Sequence, residues 1–443
     1  MADNTTRKVS GVVLENGHTI KAQSVVNCAG MWARQLGASN GVCVPNQAAE
    51  HYYLVTEPMA QVSPDWPVIE DPANYTYIRP EAGGLMVGLF EGTAAPWSVG
   101  TVPPQFSFGE IEPDWDRMAP YLEAAMSRVP LSAQAGVRKF FCGPESFSPD
   151  LNPIVGEAPE VRNYFVCAGL NSIGILSAGG LGRLVAHWVK TGQPDMDITQ
   201  MNIERLQPFQ NTPAFRRERV CETLGLVYKT HYPYKSKESG RGAKRSPFHE
   251  RLKQRNAYFK DVSGWEGADW FAPPGQLPEI PQHTWGKPSF FPQWAAEHKA
   301  CREGVVSLDM SFMSKFLVQG RDAGMALNYL STANVDGPEH TITYTQWLNE
   351  AGRMEADLTV TKLARDKYLV VATDTAHRHV EAWMRRHLDP QGDRHVTITD
   401  VTGAYAQLNV QGPRSRELLQ RLADCDMSDA AFPFRAAKEV SIG

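Results

Sequence analysis

The stretch that most limits what this chain can fold into runs from Gly143 to Pro194: GPESFSPDLNPIVGEAPEVRNYFVCAGLNSIGILSAGGLGRLVAHWVKTGQP. Within it NYFVCAGL has the length and continuous apolar character of a strand buried on both faces. The following LSAGGLGRLVAHWVKTG reads as a helix closed by Gly192 and Pro194. Between them lies Asn171-Ser172-Ile173-Gly174. A strand that feeds a helix through small residues presents free amides and a partial positive charge to an anion. On these residues alone the loop is either a generic ligand loop or an ordinary structural turn.

A second strand-turn-helix pattern opens the chain. VSGVVLEN and HTIKAQSV alternate around Asn16-Gly17, which predicts a hairpin. SVVNCAG then reads as a short parallel strand ending in Cys28-Ala29-Gly30, where a ligand or backbone comes close because no large side chain blocks it. MWARQLGA starts a helix. Strands are expected at 51–56, 75–79 and 84–89, forming an antiparallel sheet, followed by a helix over 113–129 with Asp114 and Asp116 in its first turn. From about 290 the pattern changes: a helix in AAEHKACREG, a strand in SKFLVQG, a helix in DAGMALNYL, then three strands with a turn at Glu350-Ala351-Gly352.

Composition excludes several function classes. A chain of 443 residues predicts two or three domains. A net charge of −5 gives no field that would gather nucleic acid or an anionic membrane. The one basic run, KSKESGRGAKR at 235–245, reads as a solvated loop. Seven scattered cysteines without a C-x-x-C pair predict reduced thiols and no metal site. No apolar run reaches the roughly 18 residues of a membrane helix, and MADNTTRKVS has neither the apolar core of a signal peptide nor the character of a transit peptide.

PESFSPDLNPIVGEAP, the strand after it, Leu170-Asn171-Ser172 and Ala178-Gly179-Gly180 resemble the C-terminal flavin-binding stretch of amine-oxidising flavoproteins, and VVNCAGMWA at 25–33 resembles the strand of that fold passing near the adenosine half of FAD. In order and spacing they resemble the sarcosine and dimethylglycine dehydrogenases and their relative, the regulatory subunit of pyruvate dehydrogenase phosphatase. The connecting stretch at 221–275 is also similar, as is the later part of the chain to the aminomethyltransferase (T-protein) fold.

The resemblance implies an α/β and α+β fold: a partial FAD-dependent amine-oxidoreductase domain over 1–200, a connecting segment over 201–285, and the N-terminal part of a folate-binding domain over 286–443. The G-x-G-x-x-G turn that holds the FAD pyrophosphate in such proteins is not found; GGLGRL at 179–184 and GRGAKR at 240–245 fail its spacing. The chain is therefore expected to be a family member cut at both ends.

The implied cofactors are FAD, held by Cys28, Ala29, Gly30, Trp32, Asn171, Ser172, Ile173 and Gly174, and tetrahydrofolate. His51 and Tyr77 match the family's active-site histidine and tyrosine, with a satisfied strand histidine and a sheet aromatic as the plainer readings. Arg79 is the candidate for a substrate carboxylate, or a surface arginine. Asp357 matches the aspartate that steers one-carbon transfer to folate, against a solvated strand-edge acid, with Asn334, Tyr344 and Asn349 as further pocket candidates; Gly352-Arg353 departs from the family's Gly-Gly.

The implied reaction takes a hydride from an N-methyl carbon of sarcosine or dimethylglycine to the flavin, and the carbon passes to tetrahydrofolate or leaves as formaldehyde. The implied partners are an N-methylated amino acid and an electron-transfer protein, with no nucleic acid and no membrane. The implied compartment is the mitochondrial matrix in a eukaryote and the cytoplasm in a bacterium. The alternative is a non-catalytic binding protein resembling the phosphatase regulatory subunit.

Overall fold

The computed structural model describes residues 7–389 and 392–443. The described chain forms two compact units, one of residues 7–232 and 238–240, the other of 233–237 and 241–443. Residues 201–285 are thus shared between them.

In the first unit a hairpin, β1 (Gly11–Val13) and β2 (Thr19–Lys21), turns at Asn16-Gly17 and leads to β3 (Val25–Asn27) and helix α1 (Ala33–Ser39). A five-stranded antiparallel sheet is built from β4 (Gln47–Thr56), β5 (Ile69–Asp71), β6 (Thr76–Glu81), β7 (Gly84–Leu89) and, after helix α2 (Trp115–Arg128), β8 (Val137–Phe147), in the order β5-β6-β7-β4-β8. The alternation of these strands divides the sheet into two unlike faces. One face buries Tyr52, Leu54, Ile78, Leu85, Val87 and Cys142 against Met118, Leu122 and Ala125 of α2.

Helix α2 is also held by charge. Its Asp114 N-cap accepts from Arg117 N at 3.0 Å, and Arg117 reaches down to the fully buried Glu91 at 2.6 Å, to the Tyr52 hydroxyl at 2.8 Å and to Glu50. Burial pushes the Glu91 carboxyl up to about 7 even with Arg117 beside it.

A smaller sheet follows, ordered β3-β10-β9, from β9 (Ile154–Glu157) and β10 (Tyr164–Ala168). β10 pairs parallel to β3, Tyr164 opposite Val25 and Val166 opposite Asn27. Both of its faces are covered, as its unbroken apolar sequence requires: Ile154, Tyr164 and Val166 pack with Ala33, Val42 and Val44, while Val155 and Phe165 pack under Leu181, Leu184, Val185 and Trp188 of helix α3 (Gly174–Thr191). Helix α4 (Pro213–Thr223) and the turns after it complete the unit.

The second unit begins with α5 (His249–Gln254) and the hairpin β11 (Ala257–Val262) and β12 (Trp265–Phe271), then α6 (Phe291–Glu303) and β13 (Val306–Asp309). Its main sheet is again five-stranded and antiparallel. β14 (Ser314–Gln319), α7 (Ala323–Leu330), β15 (Thr341–Leu348), β16 (Met354–Ala364), β17 (Lys367–Ala372), α8 (His377–His387) and β18 (Thr397–Asp400) give the strand order β15-β16-β17-β14-β18. One face packs Phe316, Val318, Trp347, Leu358, Val360 and Val370 against Ala326 and Leu327 of α7 and Val380 and Met384 of α8. β19 (Leu408–Gln411) pairs with β13, and α9 (Ser415–Leu422) follows. Among the described residues no helix is long and apolar enough to cross a membrane.

Candidate functional site

The parallel pairing of β3 with β10 sets two loops side by side, because both strands end at the same edge. Ligands of parallel sheets sit at such carboxyl ends. The first loop is Cys28-Ala29-Gly30. Asn27 fixes it: its Nδ2 donates to Ala33 O at 2.9 Å and to the Tyr164 hydroxyl at 3.0 Å, and its Oδ1 accepts from Ala29 N at 3.1 Å. Gly30 has φ +54°, and a Cβ placed there would meet nothing within 4 Å, so the turn faces open space. Cys28 is exposed, while Trp32 donates its indole N–H to Pro103 O at 3.0 Å.

The second loop follows β10. Asn171 and Ser172 hold φ of 53° and 67°, left-handed values that non-glycine residues adopt only where the surroundings impose them. The buried Asn171 side chain supplies that constraint: its Oδ1 accepts from Ser148 N at 2.8 Å and its Nδ2 donates to Gly169 O at 2.8 Å. Asn171 therefore shapes the loop, and Ser172 and Gly174 are left to present its surface. Helix α3 then begins at Gly174 with Ile173 as its N-cap and no capping side chain. Ile175 and Leu176 on its first turn stand fully and 87% exposed.

Both loops are tied to the end of β8. Asn46 Nδ2 donates to Gly30 O at 3.1 Å and to Ser146 Oγ at 2.7 Å, and Asn171 N donates to Ser146 O at 3.2 Å. Asn46 Oδ1 is shielded and has no partner. An uncapped helix N-terminus, an open glycine turn and an orphaned amide oxygen fit the flavin end of an extended anionic cofactor such as FAD.

The β4–β8 pairing carries this cradle onto the sheet face opposite α2. In register, Ala49 lies opposite Glu145, His51 opposite Gly143, and Tyr53 opposite both Phe141 and Gly88, with Gly88 opposite Tyr77 and Arg79 opposite Met86. Strand alternation therefore places His51, Tyr77, Arg79 and Glu145 on one face. A Cβ at Gly88 would meet the Tyr77 ring at 1.9 Å, so that glycine lets the ring lie flat on the sheet.

His51 is 9% exposed, its ring 4.4 Å from Phe90, and its Nδ1 has no hydrogen-bond partner. Burial lowers its pKa, opposed by the weaker pull of Glu145, so the imidazole is neutral at pH 7. Tyr77 stacks toward Tyr228 at 5.8 Å, and burial raises its phenol. Arg79 already pairs with Glu81 at 2.5 Å through Nη1.

The second unit's candidates lie on its own sheet face, opposite α7 and α8. Gln346 faces Asp357 and Tyr344 faces Thr359 across β15 and β16, so Asp357 and Tyr344 share that face. Both are exposed, and a hydrogen bond to Asp357 raises the Tyr344 phenol. Asn349 is committed to its hairpin, its Oδ1 accepting from Ala351 N at 3.1 Å and Arg353 N at 3.0 Å. Asn334 accepts from Asp336 N at 3.1 Å within its own loop. Asp357 and Tyr344 are thus brought together, and Asn334 and Asn349 serve the local turns.

Sequence reasoning did not single out Asn46, Glu145, Ser146, Phe90 or Tyr228. Glu145 and Ser146 sit inside the quoted PESFSPD, but their role depends on register with β4. Tyr228 reaches Phe90 at 4.3 Å only through the fold of the segment after α4.

Comparison with known proteins gives three segments, the last of which begins close to the start of the second unit. Residues 2–188 match the FAD dependent oxidoreductase family, 191–246 the FAD dependent oxidoreductase central domain and 248–443 the GCVT N-terminal domain. The 4-methylaminobutanoate oxidase (formaldehyde-forming) of Paenarthrobacter nicotinovorans is 38% identical over 98% of this chain and 52% of its own length. Human mitochondrial sarcosine dehydrogenase is 32% identical over 98% of this chain and 51% of its own length. The mouse mitochondrial pyruvate dehydrogenase phosphatase regulatory subunit is 33% identical over 98% of this chain and 50% of its own length. The chain spans about half the length of the curated relatives it matches.

Proposed function

We propose that this chain, which is similar over nearly its whole length to sarcosine and dimethylglycine dehydrogenases and matches an FAD dependent oxidoreductase domain followed by a GCVT N-terminal domain, serves the oxidative demethylation of a small N-methylated amino acid, with the one-carbon unit passing to tetrahydrofolate. Sarcosine or dimethylglycine is the proposed substrate and a second protein the proposed electron acceptor. The observation that carries this reading is the shielded, partnerless Nδ1 of neutral His51 on a sheet face that runs into an uncapped helix and an open glycine turn.

Bound FAD would supply the hydride acceptor, held along Cys28, Ala29, Gly30 and Trp32 at one loop and Ser172, Ile173 and Gly174 at the other. The positive end of α3 favours negative charge at its first turn. His51, kept uncharged by burial, accepts a proton or hydrogen bond from the substrate amine at Nδ1, which favours the neutral amine that oxidation requires. Tyr77 offers a phenol that stays protonated at neutral pH. Arg79 keeps Nε and Nη2 for a substrate carboxylate while Nη1 holds Glu81. In the second unit Asp357, with Tyr344 against it, would be placed to accept a proton from an amine of a bound folate.

The test is the absorbance spectrum of the full chain after incubation with FAD and gel filtration, followed by anaerobic addition of sarcosine or dimethylglycine. A retained flavin band that bleaches on addition of the amine is the expected result. A colourless protein overturns the flavin reading and favours the non-catalytic alternative.

A further inference from the structure

Two arginines of the first unit meet on one turn with no carboxylate between them. Arg216, on α4, is 3% exposed. Its Nε donates to Asn211 O at 3.0 Å, and its Nη1 donates to Val99 O at 3.0 Å and to Gln47 Oε1. Arg34, half-buried on α1, donates through Nη2 to Gly100 O at 2.7 Å. Val99 and Gly100 are consecutive residues, about 3.8 Å apart, so the two guanidiniums converge. The turn itself is fixed by other side chains. Gln35 accepts from Val102 N at 3.0 Å and donates to Val102 O at 2.9 Å, and Gln47 Nε2 donates to Trp97 O at 2.7 Å.

Every protein partner of the two guanidiniums is a neutral carbonyl oxygen. Arg34 Nε and Nη1 and Arg216 Nη2 are left without a protein acceptor among the described residues. Burial lowers both groups below the ordinary arginine value, and repulsion from Arg34 lowers Arg216 further, to about 10. No carboxylate opposes either shift. The Arg216 guanidinium also folds back over the start of its own helix, since Asn211 stands just before the N-cap Thr212. The positive end of α4, which has no capping side chain, adds to the same charge. Like charges drawn out of water side by side call for an anion to complete them.

We propose that Arg34 and Arg216, with the N-terminus of α4, bind a phosphate group. Guanidinium forks match the oxygens of a phosphate, and a phosphate monoester carries about −1.5 to −2 at pH 7, which balances two positive charges where a carboxylate balances one. The phosphate belongs either to a free phosphorylated compound or to the pyrophosphate of a bound dinucleotide.

The test follows inorganic phosphate by phosphorus NMR as the full chain is added, with ionic strength held constant by chloride. The unaltered chain is expected to broaden the phosphate line. Arg34→Gln should weaken binding about tenfold, and Arg217→Gln, an exposed neighbour on α4 with the same loss of charge, should leave it unchanged. Arg34→Lys keeps the charge and loses the fork, so it should retain more affinity than Arg34→Gln, a comparison that stands even if removing the charge shifts the melting temperature. No broadening by the unaltered chain, equal weakening by Arg34→Gln and Arg217→Gln, or displacement of phosphate by an equal concentration of acetate would each overturn the proposal. Displacement of phosphate by FAD identifies the pyrophosphate as the occupant. Phosphate that stays bound beside FAD identifies a separate phosphorylated compound.

Discussion

The two five-stranded antiparallel sheets are built alike and finished differently. Each buries one face under helices, α2 in the first unit and α7 with α8 in the second. The opposite face of the first sheet is closed by aromatic side chains and leaves His51 9% exposed, whereas the corresponding face of the second leaves Tyr344 51% exposed beside an exposed Asp357. Shielding decides what the polar groups on each face do. Out of water, an imidazole loses its proton and an unpartnered oxygen seeks a ligand; in water, a carboxylate stays solvated and poised to accept a proton. On the proposed reading, one architecture thus offers a dry face for amine oxidation and a wet face for proton exchange with a folate.

The helical covers differ as well, and there the largest effect is expected. α2 is anchored through Arg117 to the fully buried Glu91, while α8 meets the second sheet through Val380 and Met384 and through His377 and His379, which pair with the partly exposed Asp400 and Glu355. Arg117→Met should strand Glu91 without a counter-charge and destabilise the first unit by about 3–5 kcal/mol, read as an early transition in a urea melt with the second unit's transition unmoved. A single shift common to both transitions would show that the covers are not independent.

Asn171→Ala tests whether the cradle is shaped from within. Removing a buried amide that holds Ser148 N and Gly169 O should cost about 1–3 kcal/mol and weaken FAD binding, whereas Ser172→Ala should leave stability alone. Equal stability of Asn171→Ala and the unaltered chain would mean that the left-handed turn is held by other contacts.

These two positions also mark how far the sequence reading reaches. Part of the fold was legible because its apolar periods and stop signals are local: the turn at Asn16-Gly17, the end of α3 at Gly192, the run of three strands from Thr341 to Ala372; β8, which carries Glu145 and Ser146, and the hairpin of β11 and β12 were not legible as strands. That β3 and β10 are buried strands was implied by apolar runs ending in small residues, but their parallel pairing with each other was not. Which side chains share a face was not legible, since it depends on the registers of β4 with β7 and β8, and on β6 with β7. So Glu145 passed as part of a motif, Tyr228 as connector, and Asn46 unnoticed. Asn349 shows the reverse case. An Asn followed within three residues by Gly favours a side-chain-held turn, and its amide oxygen is occupied there.

A smaller effect separates the dry face from the wet one by pH. Below the ordinary histidine value of 6.5 the unfolded chain takes up a proton that buried His51 refuses, so stability falls as pH falls through that range. The slope contributed is at most about 1.4 kcal/mol per pH unit. Urea melts at pH 7, 6 and 5 should show this part missing in His51→Phe; a slope identical to that of the unaltered chain would place His51 in contact with water. The smallest effect belongs to the wet face: Asp357→Asn should change stability by no more than about 0.5 kcal/mol while removing any folate-dependent capture of the one-carbon unit, scored by formaldehyde release.

The most direct measurement is hydrogen–deuterium exchange of the full chain with FAD, with tetrahydrofolate and with neither. The account predicts that FAD slows exchange over residues 27–33 and 169–176 and leaves 344–359 unchanged, and that tetrahydrofolate does the opposite. Exchange in either segment that ignores its own ligand, or answers to the other one, would contradict the division of labour between the two sheets.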